Sequence, residues 1–252
     1  MISSFSSLFE SSSTRENLLV GETALYASRM SSTSSSSSSS SSKRLETLSS
    51  PAVSLEYKGS PASSMAPEDV GVFRKALLWL GGYYSKQSTY MRAAKELHTC
   101  IKEQALNEQI LNDFQVPNDF QHRHAMLCLH VWMVLKRLRS EGKPGKKISQ
   151  IMYDDFQDDV EHMVRNAGVQ VRLQKHLSEL EKQFYGSCTA YDRALGSDPP
   201  ESLASALYRN VYQAQEGKKQ ASSLLERYVK RELACLSKTD SSVVLTGRIR
   251  FV

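Results

Sequence analysis

From residue 67 onward, apolar side chains recur every three or four positions, the spacing of a single helix face. Ala66-Pro67-Glu68-Asp69 predicts a helix start, with Val72, Ala76, Leu77 and Leu80 on one side and Gly81-Gly82 as the stop. Ser88 is a candidate cap for a second helix reaching about Ala105, with Met91, Ala94, Leu97 and Ile101 in line. A short helical piece around 107–114 ends before Pro117. Asn118 then precedes the most apolar stretch, a helix predicted over Asp119 to Arg139. At 100° per residue, Phe120, His124, Leu127, Val131, Leu135 and Leu138 share one face, while Ala125, Cys128, Leu129 and Trp132 fall toward the other. A helix apolar on both sides is a central one, covered by neighbours. Its remaining edge carries Arg123, His130 and Arg137, spaced by sevens into one polar stripe.

Glu141-Gly142-Lys143-Pro144-Gly145 reads as a loop, and the next helix runs from about Ile148 to Asn166, ending before Gly168. Its buried arc is Ile148, Ile151, Met152, Phe156, Val160, Met163 and Val164. Asp159 projects into that arc, where a carboxylate needs a partner, because an unpaired buried charge is costly. The expected partner is Arg137 or His130 across the hairpin. Further helices are predicted over Gln170–Leu195, from Asp198 and Pro200 to Gln213, and over Lys218–Leu236. The tail Val243 to Phe251 has weak strand character. No alternation of strands and helices appears, so the fold class is all-α: a single multi-helix domain, 67–252, around a central apolar helix.

Composition changes the picture at the N-terminus. Residues 1–50 hold 21 serines, nine of them in the unbroken run Ser34 to Ser42. Residues 1–66 show no sustained period and are expected to be a disordered leader, unable to offset its ordering entropy by apolar burial. Scattered cations (Arg15, Arg29, Lys43, Arg44) suit an organellar transit peptide, while Glu10, Glu16, Glu22 and Glu46 offset them. Composition leaves transit peptide and plain tail both open. Charge follows the same division: residues 1–70 carry five cations and seven acids, and residues 71–252 carry 27 and 20.

Candidate chemistry is sparse. Cys100, Cys128, Cys188 and Cys235 are isolated, against a disulfide scaffold or a CxxC zinc module. The longest apolar run, Ala125 to Leu135, is too short for a transmembrane segment. His122 and His124 lie on different helix faces, no HExxH occurs, and Asp154, Asp155, Asp158 and Asp159 put DxxxD spacing on one helix only, where two facing pairs bind metal. Nucleophile elbows, phosphate loops and Walker patterns are absent, so neither enzyme activity nor a cofactor is expected. The densest feature is Lys136 to Lys147, six cations and one acid in twelve residues. Lys136, Arg139, Lys143, Lys146 and Lys147 are its candidate contacts to phosphates of RNA or lipid head groups. The plainer alternative is a solvated helix end, where cations suit the dipole. Met91, Met126, Met133, Met152 and Met163 could either fill the core or line an adaptable apolar groove.

Three segments together resemble one family. The first is Leu129-His130-Val131-Trp132-Met133-Val134-Leu135, continuing through Arg137-Leu138-Arg139-Ser140-Glu141-Gly142-Lys143 to Gly145-Lys146. The second is Asp158-Asp159-Val160 with Arg165, Gly168, Phe184-Tyr185-Gly186 and Ala190-Tyr191-Asp192. The third is Ala204-Ser205-Ala206-Leu207-Tyr208-Arg209-Asn210 with Tyr228-Val229 and Leu245-Thr246-Gly247. Over about residues 85–251 the chain resembles the ubiquinol–cytochrome c chaperone family, departing at Gln157, where animal members tend to carry Trp. The resemblance implies a non-enzymatic assembly factor of respiratory complex III, the ubiquinol–cytochrome c reductase, at the matrix side of the mitochondrial inner membrane. It implies peripheral membrane association, newly synthesised cytochrome b as client, a small partner assembly subunit, and, as in yeast members, contact with the mitochondrial ribosome. It makes the leader a mitochondrial transit peptide. It also offers two surfaces: the polar hairpin contact His130, Arg137 and Asp159, and the basic segment 136–147. The alternative functions are a ribosome- or RNA-associated activator of cytochrome b translation acting through 136–147, and an all-α enzyme.

Overall fold

The computed structural model describes residues 48, 50–59, 85–168, 171–196 and 198–251. Among these are eight helices: α1 (Lys86–Ala105), α2 (Glu108–Asp113), α3 (Phe120–Arg139), α4 (Gly142–Asn166), α5 (Leu173–Ala194), α6 (Leu203–Asn210), α7 (Lys219–Lys238) and α8 (Ser241–Thr246). The all-α expectation holds, and the central helix is where the pattern put it. Every residue of α3 from Met126 to Leu135 is buried, and α3 packs against α1, α4, α5 and α7. The helix expected over 67–80 lies outside the described residues.

Cap chemistry sets the helix ends. Ser85, not Ser88, begins α1, its Oγ accepting the Ser88 N–H at 3.2 Å. Asp119, not Asn118, begins α3: one carboxylate oxygen takes the His122 N–H at 3.1 Å, while Asn118 Oδ1 accepts from Arg123. The expected loop 141–145 is largely the first turn of α4, a place where Pro144 is tolerated. Gly145 is needed there, because a Cβ would lie 2.1 Å from the Leu138 carbonyl oxygen. As expected, α4 ends just before Gly168, which has φ +86°.

Two further expectations are corrected. The helix predicted to reach Gln213 stops at Asn210. Tyr212 is fully buried with its hydroxyl donating to the Phe114 carbonyl at 2.8 Å, and Gln213 and Ala214 take positive φ to let the chain turn. The first half of the tail is helical rather than extended, Val243 to Thr246 closing α8, which Asp240 caps through the Ser242 N–H at 2.7 Å with Val244 buried; the strand character is met only beyond Gly247. Cap and burial override the β preference of Val243-Val244-Leu245-Thr246. Gly247 ends α8 at φ +76°, pressed so close to α1 that a Cβ would meet the Ala93 carbonyl oxygen at 2.6 Å.

Beyond Gly247 the chain extends, and Ile249 forms an antiparallel bridge with Glu56. The described part of the Ser-rich N-terminal third is therefore not free of the domain. Leu48 and Ala52 pack against the core and Leu55 is buried in it. A domain boundary drawn from periodicity at residue 67 misses this segment, because an isolated extended strap has no helical period to read.

Candidate functional site

His130, Arg137 and Asp159 do not form one hairpin contact; each is held by a different neighbour. His130 sits deep in the core rather than on an edge. Its Nδ1 lies 2.8 Å from the Met126 carbonyl and its Nε2 2.9 Å from the Tyr228 hydroxyl. A carbonyl only accepts, so Nδ1 carries the proton and Nε2 accepts from Tyr228. Gln104 Nε2 in turn donates to the Tyr228 hydroxyl at 3.0 Å. This buried chain ties α1, α3 and α7 together, with the Phe251 ring edge-on to the imidazole at 5.4 Å. Burial drives the His130 pKa down to about 4, so the ring is neutral at physiological pH.

Arg137 closes the far end of α7. Its guanidinium donates to the Leu236 carbonyl at 2.9 Å and the Thr239 carbonyl at 3.1 Å, and pairs with Glu141, which also accepts from Ser241 at 2.9 Å. These are the carbonyls a helix C-terminus leaves open. Asp159 does meet a cation, as its position demands, but it comes from α1, together with a histidine whose pKa burial lowers. Lys102 Nζ is 2.7 Å away and His98 Nε2 3.3 Å. The sequence arc placed Asp159 correctly; what it lacked was that α4 packs against α1 on that side.

The basic segment also divides. Lys136 Nζ and Arg139 Nη1 reach across to Asp192 on α5 at 3.1 and 2.8 Å, and Trp132 Nε1 donates to the same carboxylate at 3.1 Å. Burial, the largest single influence, would raise the Asp192 pKa, but Arg139 and Lys136 together outweigh it and hold the carboxyl below its ordinary range. These two cations fasten α3 to α5. Lys143, Lys146 and Lys147 instead lie exposed on the first turns of α4. The helix dipole disfavours positive charge in the first turn, where Lys143 sits, and has faded by Lys146 and Lys147, so dipole complementarity explains the cations ending α3 but not these lysines.

Two surface grooves border α1. One, of about 480 Å³, is lined by Lys95, His98, Lys102, Asp155, Asp159 and His162 among others. The other, of about 340 Å³, is lined by Cys100, Glu103, Gln104, Asn107, Arg250 and Phe251. Among the described residues no group of three or more His, Cys, Asp or Glu is arranged to hold a metal, and no helix is long and apolar enough to cross a membrane. Burial pushes the Cys100 thiol up to about 11 and raises Cys128 and Cys188 as well, away from nucleophilic thiolates. The His124 ring, stacked between Phe120 and Phe156, is lowered to about 4 by burial alone. Met126, Met133 and Met152 are core residues and only Met91 of the five is exposed, so the methionines do not form an adaptable groove.

Tyr228, Gln104, Asp192, His98 and Lys102 were given no role by sequence reasoning. Trp132, Asp192 and Tyr228 lie inside the segments that carried the resemblance; they pair over 60 to 98 positions, which no local period encodes.

Comparison with known proteins agrees with this architecture. The ubiquinol–cytochrome c chaperone family model matches residues 112–251. The chain is 30% identical over 190 residues to mouse (Mus musculus) ubiquinol–cytochrome c reductase complex assembly factor 1, covering 73% of this chain and 64% of that protein. The human (Homo sapiens) protein of the same name is 29% identical over 188 residues, with 72% and 62% covered. The chain thus spans under two thirds of the length of these two relatives. The crystal structure of the Cbp3 homolog from Brucella abortus superposes with a TM-score of 0.60 at 28% identity, covering 69% of this chain and 96% of that one. Residues 112–251 span α3 to the end of the extended tail, the helices whose polar ties are described above, and on this match the chain belongs to the ubiquinol–cytochrome c chaperone family.

Proposed function

We propose that this protein is a non-enzymatic assembly chaperone for ubiquinol–cytochrome c reductase, acting in the mitochondrion at the matrix side of the inner membrane. Its client is newly synthesised cytochrome b, held together with a small partner subunit. The observation that carries this reading is the family match over residues 112–251, whose mouse and human relatives are named assembly factors of that reductase. The geometry is compatible with a binding role. The buried His130 and the half-buried Arg137 and Asp192 are engaged in fastening helices to one another. Depleting the protein tests the reading on native gels of mitochondrial membranes. Assembled reductase should fall while other respiratory complexes persist, and reintroducing the full chain should restore it. Normal reductase levels after depletion would overturn it.

A second reading is favoured by one feature, the three exposed lysines in the first two turns of α4, Lys143, Lys146 and Lys147. They suit a contact with ribosomal RNA phosphates, through which the protein would couple assembly to cytochrome b translation.

A further inference from the structure

We propose that the mature protein retains everything from Ser50 onward, so that leader removal ends upstream of a strap, residues 50–59, that is part of the domain. The proposal rests on the mitochondrial reading above for the existence of a removable leader, and on the strap's own contacts for where removal must stop. Leu55 is only 2% exposed, in the same core as Ile249 and Phe251. Its N–H donates to Thr239 Oγ1 at 3.0 Å, across 184 positions, and its carbonyl accepts the Arg250 N–H at 2.9 Å. The Tyr57 N–H donates to the Arg248 carbonyl at 2.9 Å, completing an antiparallel pairing with the C-terminal tail. Lys238 on α7 donates to the Ala52 carbonyl at 3.0 Å, and Arg250 lies over the Tyr57 ring at 5.3 Å.

Without the strap these partners lose what satisfies or covers them. The Arg250 N–H would lose its acceptor, the Arg248 carbonyl its donor, and Ile249 its bridge partner Glu56. Phe251 matters beyond the tail, because its ring packs on His130 at the end of the buried Gln104–Tyr228–His130 chain. The strap therefore holds the tail, and the tail covers the core. A cut at the compositional boundary near residue 66 would discard this element, whereas a cut upstream of Ser50 spares it.

Two measurements test this. Identification of the N-terminal peptide of the endogenous protein, purified from mitochondria, should give a first residue at or before Ser50. A first residue at Pro51 or later overturns the proposal. An uncleaved chain upholds strap retention but sinks the removable leader, so failure of the two readings is distinguishable. In the full chain, Leu55→Ala should lower Tm by roughly 4–20 °C, as truncation of a buried leucine does in a domain of this size. An unchanged Tm would show that the strap is not part of the fold and would overturn the proposal.

Discussion

The buried polar chain through Tyr228 gives the sharpest energetic prediction. Tyr228→Phe removes one hydroxyl and keeps the ring. That hydroxyl donates to His130 Nε2 at 2.9 Å and accepts from Gln104 at 3.0 Å. His130 has no exposed surface, so water cannot replace the lost donor. Leaving a buried acceptor unpaired costs about 1–3 kcal/mol, equivalent to a Tm lower by about 2–12 °C. His130→Leu should also destabilise at pH 7.5. The double variant should cost less than the two single changes together, because replacing both partners by apolar groups leaves no orphan. The pH dependence supplies an independent sign. His130 and His124 each titrate near pH 4 when folded, below the ordinary histidine value of 6.5. The unfolded chain therefore binds the extra protons first. Their contribution is intact above pH 6.5 and is lost as pH falls toward 4, by up to about 3 kcal/mol for each ring. Wild-type protein should lose stability steeply over that window, and His130→Leu should lose about half as much from these two groups. Denaturant unfolding at pH 7.5, 6 and 5 measures all of this. Tyr228→Phe within about 0.5 kcal/mol of wild type, or strict additivity in the double variant, would refute the coupling.

Other substitutions separate structural from surface charges. Asp192→Ala strips three donors on α3 of their shared acceptor and should cost about 1–3 kcal/mol in denaturant unfolding, discounted for the partial exposure of the site. Asp159→Asn removes the carboxylate whose charge raises the His98 pKa against burial, so the already lowered His98 value should fall further in an NMR titration. Reversing Lys143, Lys146 and Lys147 to Glu should leave Tm unchanged or slightly raised, since acids suit a helix N-terminus. The same variant should weaken co-sedimentation with mitochondrial ribosomes and spare cytochrome b binding. Unchanged sedimentation would make these lysines a solvated face.

What the sequence revealed, and what it withheld, follows from the range of each interaction. The central position of α3 was legible because burial on both faces leaves no polar stripe wide enough to face water. The stop of α4 before Gly168 and the need of Asp159 for a cation were legible for similar local reasons. The partner of Asp159 was not, because helical projection says which residues face inward but not which helix lies opposite. His130 was misplaced on an edge by a seven-residue spacing with Arg123 and Arg137. In the fold, Tyr228 and Phe251 cover that position from the far end of the chain. The basic run looked like one feature in sequence, yet the turn at Ser140 and Glu141 sends Lys136 and Arg139 to Asp192 and the later lysines to the surface of α4. The strap was invisible for the same reason as the pairing of Asp192: its contacts span most of the chain.

The central claim, a chaperone that holds new cytochrome b on the way into the reductase, is tested most directly by capture. Tagged full-length protein would be isolated from mitochondria after a short pulse of labelled organellar synthesis. The account predicts labelled cytochrome b and a small partner subunit in the captured material, with the label leaving during a chase as it enters assembled reductase. Capture without labelled cytochrome b, from organelles that are actively synthesising it, would contradict the account.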